Sequence, residues 1–305
     1  MNCVDLLAIW NLGIRAFHLK SKKTKYLIGG SFAKAATRAG HRVAVWNRTR
    51  ATAERAVADG SSAAVLEEDM TSAAGRPDLY LISLPPDAVV PWIDAHQASF
   101  KPGAVVVDAT GVKGTICAAL RKYAYDDTPW TFVGGHPMAG KEVSGYANAT
   151  PDLFAEASMI LTPYPSCGRG PLDMLEAFFK ELGFGRVVFT TPEHHDEMIA
   201  LTSQLAHVVS SAYIQDPLAK DHAGFSAGSF YDMTRVARLN PDIWTDLFLA
   251  NKDALSSVLG GLVERLAAFK SALDAEDAPR LRALLDRGRA VIESMPPTYK
   301  SIARR

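Results

Sequence analysis

Three cysteines in 305 residues are too few and too widely spaced to build a disulfide frame or a metal knuckle. Cys3, Cys117 and Cys167 are also odd in number, which fits a reducing, cytoplasmic setting. Net charge is lacking as well. Lys plus Arg and Asp plus Glu both number 33, so no overall field recruits nucleic acid or an acidic membrane surface. No apolar run approaches the ~20 residues that a membrane-spanning helix needs. Internal repeats and low-complexity tracts are missing too. What remains is a globular chain of ordinary composition, 48% hydrophobic and 22% charged, long enough for two domains and suited to a small-molecule partner.

The N-terminal stretch lacks a clear place in a fold. Met1 to Phe17 is fairly apolar but broken by Asp5, Asn11 and Arg15, and Lys20, Lys22, Lys23 and Lys25 follow it, the reverse of the order in a secretory signal. Its polar positions form no wide cationic face, which disfavours a membrane-surface helix. Residues 1–23 are predicted to be an atypical extension, residues 24–190 a dinucleotide-binding domain and residues 191–305 a helical substrate and dimerisation domain.

The middle of the chain alternates short apolar runs with helical stretches, the pattern of a doubly wound, Rossmann-type parallel sheet. The runs are 42–46, 79–83, 104–108, 131–133, 158–161 and 186–189, with helices predicted over 31–39, 51–59 and 172–182. After Thr190 only helical patterns follow. Thr191-Pro192-Glu193 supplies an N-cap, a proline at the first helical position and an early acid for a helix running through Ile214. A second helix follows Pro241. Leu255, Val258, Leu259, Leu262, Val263, Leu266 and Phe269 then repeat at helical spacing, with Leu281, Leu284, Leu285 and Ile292 beyond. Stripes so apolar suit either an intramolecular core or a face buried against a second subunit.

In such a sheet a dinucleotide lies across the carboxyl ends of the strands, its pyrophosphate at a glycine-rich turn. Gly29-Gly30-Ser31 matches the back half of that turn, but Thr24 and Tyr26 stand where the first two glycines belong. Either Tyr26-Leu27-Ile28 is a truncated first strand, or the N-terminal residues replace it. The run at 42–46 lacks the terminal acid that binds a ribose 2′-hydroxyl. It ends instead in Asn47-Arg48-Thr49, and an arginine there suits a 2′-phosphate, so NADP is favoured over NAD. Ser83 and Pro85 end the next strand at the same edge. Gly134-Gly135-His136-Pro137-Met138-Ala139-Gly140 places one imidazole among glycines on a segment too kinked for a helix, with Glu142 and Ser144 just beyond. Two readings fit: a loop that aims His136 into a cleft as a base, or a glycine-rich turn around a packed histidine. His194, His195, Asp196 and Glu197 are adjacent on a helix and point apart, so no metal site is expected.

Taken in order, Gly29-Gly30-Ser31, Asp108-Ala109-Thr110-Gly111-Val112-Lys113-Gly114, the His136 segment with Glu142 and Ser144-Gly145, Thr202-Ser203-Gln204-Leu205-Ala206-His207, and Asp232-Met233-Thr234-Arg235 with Trp244 resemble the prephenate dehydrogenase family, which includes arogenate dehydrogenases. The resemblance runs from Ile28 to about Leu273. It implies oxidative decarboxylation: hydride leaves C4 of a cyclohexadienol ring for NADP or NAD, and the ring carboxylate departs as CO2. The same resemblance implies roles. His136 would be the base at the C4 hydroxyl, Arg235 would bind a substrate carboxylate, and His207 and Ser203 would meet the substrate side chain. Glu142 and Asp232 would support or gate the site from behind these residues, Ser144 would bind polar groups of the substrate, and Trp244 would wall the pocket. Many relatives carry a serine where this chain has Gly111, so Thr110 or an ordered water would have to take its place. A homodimer acting on prephenate is the leading expectation. The alternatives are arogenate as substrate, or a binding protein whose dinucleotide loop is defective.

Overall fold

The computed structural model of the chain describes residues 5–10, 26–67, 75–125, 127–141 and 145–296. Strands β1 (Asp5–Trp10), β2 (Arg42–Asn47), β3 (Ala64–Val65), β4 (Leu79–Ser83) and β5 (Val105–Asp108) alternate with helices α1 (Tyr26–Arg38), α2 (Arg50–Ala58), α3 (Pro86–His96) and α4 (Gly114–Leu120). Then come β6 (Thr131–Pro137), β7 (Ser158–Pro163), α5 (Arg169–Glu181) and β8 (Arg186–Phe189). The strands form one sheet in the order β3-β2-β1-β4-β5-β6-β7-β8. β4 and β5 are buried along their whole length, as continuous apolar runs covered on both faces require.

The centre of this sheet corrects the reading of the N-terminus. Asp5–Trp10 pair in parallel with both β2 and β4, so residues predicted to lie outside the core supply a central strand. Tyr26-Leu27-Ile28, the other candidate, begin α1 instead. Gly29 and Gly30 therefore lie within the opening turns of a helix rather than in a turn ahead of it. Gly30 has a packing reason to be glycine, since a Cβ there would come within 2.7 Å of the Tyr146 ring and 3.0 Å of Ala149 Cβ. The position of Thr24 lies outside the described residues.

One pairing departs from the predicted parallel sheet: β7 runs antiparallel to β6. Parallel neighbours need a crossover, usually a helix, and the described part of the β6–β7 connection holds only a short 3-10 turn at Tyr146–Asn148. Phenylalanines pin that connection to α1 and to the turn between α5 and β8. Phe32 of α1 stacks on Phe154 with ring centroids 4.3 Å apart, and Phe154 on Phe184 at 4.8 Å. Each such burial contributes ~1.5–3 kcal/mol.

The helical part follows the predicted pattern closely. α6 (Pro192–Ile199) is capped by Thr191, whose hydroxyl accepts the His194 N–H at 3.2 Å. It continues through a π-helical turn, Ala200–Gln204, into α7 (Leu205–Tyr213). α8 (Gly228–Thr234), α9 (Pro241–Ala250), α10 (Lys252–Asp274) and α11 (Ala278–Ser294) complete the order. The described chain divides into two compact units between Lys252 and Asp253. Asp196 of α6 accepts buried backbone hydrogen bonds from Lys113 and Gly114 at the start of α4. In the second unit Val263, Leu266, Leu285 and Ile292 of the predicted stripes stay exposed. Among the described residues no helix is long and apolar enough to cross a membrane.

Candidate active site

His136 lies on a strand, not on the kinked loop that its glycines suggested. β6 runs through Gly134-Gly135-His136-Pro137, with Gly134 opposite Thr162 and His136 opposite Ile160 of β7. Pairing with β5 stops at Val133, so His136 projects past the carboxyl end of β5. The glycines here serve close packing. A Cβ on Gly134 would overlap Thr162 Oγ1, and one on Gly135 would overlap the backbone oxygen of Asp108 and sit 2.7 Å from Val107 Cγ1. Gly135→Ala is accordingly expected to destabilise the fold by ~1–3 kcal/mol or more, read as a lowered urea midpoint at unchanged slope.

Beneath His136 lies a buried polar network. Lys113 and Asp108, both with fully buried side chains, form an ion pair. Lys113 Nζ also donates to Gly135 O at 2.7 Å and to Thr110 Oγ1 at 2.9 Å. Asp108 Oδ1 accepts the Gly135 N–H at 3.1 Å. The Thr110 hydroxyl is thereby committed, since its proton goes to Asp108 Oδ2 at 2.5 Å or Val112 O at 2.9 Å. This corrects the expectation for Thr110: its hydroxyl locks the network and has no free donor for a substrate. Gly111 leaves room instead. A Cβ there would meet His136 Nε2 at 3.8 Å and Leu247 Cδ2 at 3.6 Å, ordinary contact distances.

The Nδ1 edge of His136 is taken by His195 Nε2 at 2.9 Å, and His195 Nδ1 meets Asp196 Oδ1 at 2.7 Å. Asp196 in turn accepts the backbone N–H groups of Lys113 and Gly114, each at 2.8 Å. Burial, then His195 and Lys113, hold the His136 imidazole well below its usual pKa, so it stays neutral. A neutral imidazole has one donor and one acceptor nitrogen, so the direction of the hydrogen bond at Nδ1 decides what Nε2 presents.

Two of the residues assigned to the cofactor are brought together by strand register. Asn47 and Ser83 both pair with Trp10, one from each side, at the carboxyl ends of β2 and β4. Both are buried, and among the described residues neither Asn47 Nδ2 nor Ser83 Oγ has a hydrogen-bond partner. Unsatisfied buried polar atoms at this edge fit a site that a ligand completes. Asn47 Oδ1 accepts the Thr49 N–H at 2.8 Å, which shapes the turn and leaves Arg48 exposed. Pro85 is buried at the start of α3.

A second cluster gathers the residues expected around the substrate side chain. His207 donates from Nδ1 to Val236 O at 2.9 Å, which places it beside Arg235, and its ring lies 3.7 Å from that of Trp244. Trp244 and Leu247 share α9, and Leu247 reaches Gly111 and so the His136 neighbourhood. Arg235 and Asp232 are both exposed, and no ion pair joins them among the described residues. Ser203 lies in the π-helical turn. Glu142 and Ser144 fall outside the described residues.

Comparison with known proteins decides the family. The model for the prephenate dehydrogenase nucleotide-binding domain matches residues 32–189, and that for the prephenate dehydrogenase dimerization domain matches residues 191–287. The chain belongs to the prephenate dehydrogenase family. Cyclohexadienyl dehydrogenase of Zymomonas mobilis is 30% identical over 225 residues, 70% of this chain and 74% of that protein. Prephenate dehydrogenase of Bacillus subtilis is 32% identical over 160 residues, which span 50% of this chain and 42% of that enzyme. Prephenate dehydrogenase of A. aeolicus, solved with hydroxyphenyl propionate and NAD+, superposes with a TM-score of 0.78 at 24% identity, covering 97% of this chain and 99% of that one. Synechocystis arogenate dehydrogenase gives 0.77 at 24%, covering 95% and 99%. At that identity the two structures show the shared fold.

Within this family fold, several residues around His136 went unassigned from sequence: His195, Asp196, Lys113 and Asp108. Asn251 belongs with them, its Nδ2 donating to Asp196 O at 2.9 Å and to Gln204 Oε1 at 2.8 Å. The signal in sequence was the His195-Asp196 pair beside the N-cap Thr191. A metal site asks for side chains that converge on one point, whereas these form a chain of donors and acceptors.

Proposed function

We propose that this protein catalyses the oxidative decarboxylation of prephenate to 4-hydroxyphenylpyruvate, in the cytoplasm and as a homodimer, with NADP favoured over NAD. The observation that carries the reading is the neutral His136, held past the end of β5 with its Nδ1 edge occupied. Its Nε2 accepts the proton of the C4 hydroxyl and returns it to the oxygen of the aromatic product. A bound nicotinamide supplies the hydride acceptor for C4, while the ring carboxylate leaves as CO2. Asn47 and Ser83, with their unsatisfied buried atoms, are the groups to hold the dinucleotide, and Gly29, Gly30, Thr49 and Pro85 border it. Arg235 binds a substrate carboxylate, His207 and Ser203 meet the side chain, and Trp244 closes the wall. The exposed apolar residues of α10 and α11, and the match to a dimerization domain, support the second subunit.

The test is turnover by the purified protein with prephenate or arogenate, each with NADP and with NAD, followed by reduced-nicotinamide absorbance. Absence of signal in all four combinations overturns the reading, and the ratio of kcat/KM values assigns substrate and cofactor. Arg48 reads the 2′-phosphate in this scheme. Arg48→Ala is expected to raise KM for NADP about tenfold or more, equivalent to ~1.5–3 kcal/mol for a charged hydrogen bond, and to change KM for NAD little.

A further inference from the structure

We propose that His195 and Asp196 are positioning residues that dictate the tautomer of His136, so that its Nε2 lone pair is the one turned to the reacting hydroxyl. The proposal rests on the function given above only for what His136 does with that lone pair. Both oxygens of Asp196 are fixed by backbone donors, Oδ1 by Lys113 N–H and Oδ2 by Gly114 N–H, each at 2.8 Å. An ionised carboxylate has no proton to give, so His195 must donate to Oδ1 from Nδ1. A His195 ring carrying that one proton has its acceptor at Nε2, and His136 then donates to it from Nδ1. One further step follows. Nε2 of His136 is left without a proton, which is the state a base requires.

The order is enforced by burial. The His195 side chain is wholly buried and that of Asp196 nearly so. Asn251, with Gln204, holds the backbone at Asp196 from the side of α9. Gly114 is tightly fitted as well, because a Cβ there would stand 2.8 Å from Asp196 Oδ2. The seat of α6 on the start of α4 thus sets the direction of every proton between Asp196 and His136. A packed histidine with no such role would need neither a carboxylate clamped by two amides nor a second imidazole in line.

Three variants separate orientation from packing. In His195→Gln, Oε1 replaces Nε2 as the acceptor for His136 Nδ1–H. In His195→Asn the amide mimics Nδ1 and cannot reach His136, and in His195→Ala both contacts go. We expect kcat to fall on the order of 10²-fold in the Ala and Asn variants with KM within about threefold, and to recover most of the way in the Gln variant. Nitrogen NMR of 15N-histidine-labelled protein, without substrate or cofactor, is expected to show His136 protonated at Nδ1 in the wild type and in His195→Gln, and a shift toward Nε2 protonation in His195→Ala. A wild-type His136 protonated at Nε2, unchanged kcat in the Ala variant, or a Gln variant no faster than Ala would each overturn the proposal. If the wild type turns over neither prephenate nor arogenate, the functional reading fails, and the NMR result still decides the tautomer.

Discussion

His136→Asn is expected to lower kcat by about 10²- to 10⁴-fold, the range a positioned general base contributes, with a small change in KM. Asparagine can retain a polar contact to His195 but has no acceptor at the place of Nε2. The pH dependence carries the sharper expectation. Burial, His195 and Lys113 hold the His136 pKa well below 6.5 in the native state, so the base stays neutral as pH drops through 6.5. The acid limb of kcat/KM assigned to His136 is therefore expected well below 6.5, and to vanish in the variant. Stability follows with a definite sign. Below 6.5 an unfolded chain binds a proton at this histidine while the native one does not, so stability falls as pH drops from 6.5 toward the native pKa. Above 6.5 both states are neutral, and the group has no effect. Denaturation midpoints of wild type and variant between pH 5 and 7.5 check this: the wild type is expected to lose more stability on the acid side.

The parts of this molecule that follow from local periodicity were legible in its sequence. β4 matches its predicted run at 79–83, and the Thr191-Pro192 cap opens α6 as the capping rules require. Four other features were not legible from periodicity, three of them because their partners are distant in sequence. Asp5–Trp10 is an ordinary apolar segment until β2 and β4 flank it, and only pairing shows that it fills the middle of the sheet. Gly134 and Gly135 read as a flexible turn because glycine permits one. Their actual constraint is steric and comes from Thr162 and from Asp108, both distant in sequence. Thr110 was predicted to face the substrate because it neighbours Gly111, yet its hydroxyl is claimed by Lys113 and Asp108. His195 and Asp196 gain their meaning only when α6 docks on α4. Periodicity reports which face of an element is buried, whereas a hydrogen-bond chain depends on contacts between residues scores of positions apart.

Lys113→Met is expected to be the most destabilising single change outside the packed glycines. It removes one partner of a fully buried ion pair and leaves Asp108 with a charge that no solvent reaches. Breaking such a pair costs about 3–5 kcal/mol, and with a domain of this size Tm is expected to fall by roughly 10 °C. Paired replacement separates charge from shape. Asp108→Asn together with Lys113→Met leaves no orphan charge, and Asn keeps an acceptor for Gly135 N–H, so the double variant is expected to recover much of the loss. Activity should not recover with stability. Lys113 Nζ also holds Gly135 O, the residue before His136, and its charge helps to keep the imidazole neutral. In the double variant the acid limb of kcat/KM is expected to move upward in pH, because a cation that opposed protonation of His136 is gone. A double variant as unstable as Lys113→Met alone would show that the lysine acts by filling space. A double variant with an unmoved acid limb would show that burial and His195 alone set the basicity of His136.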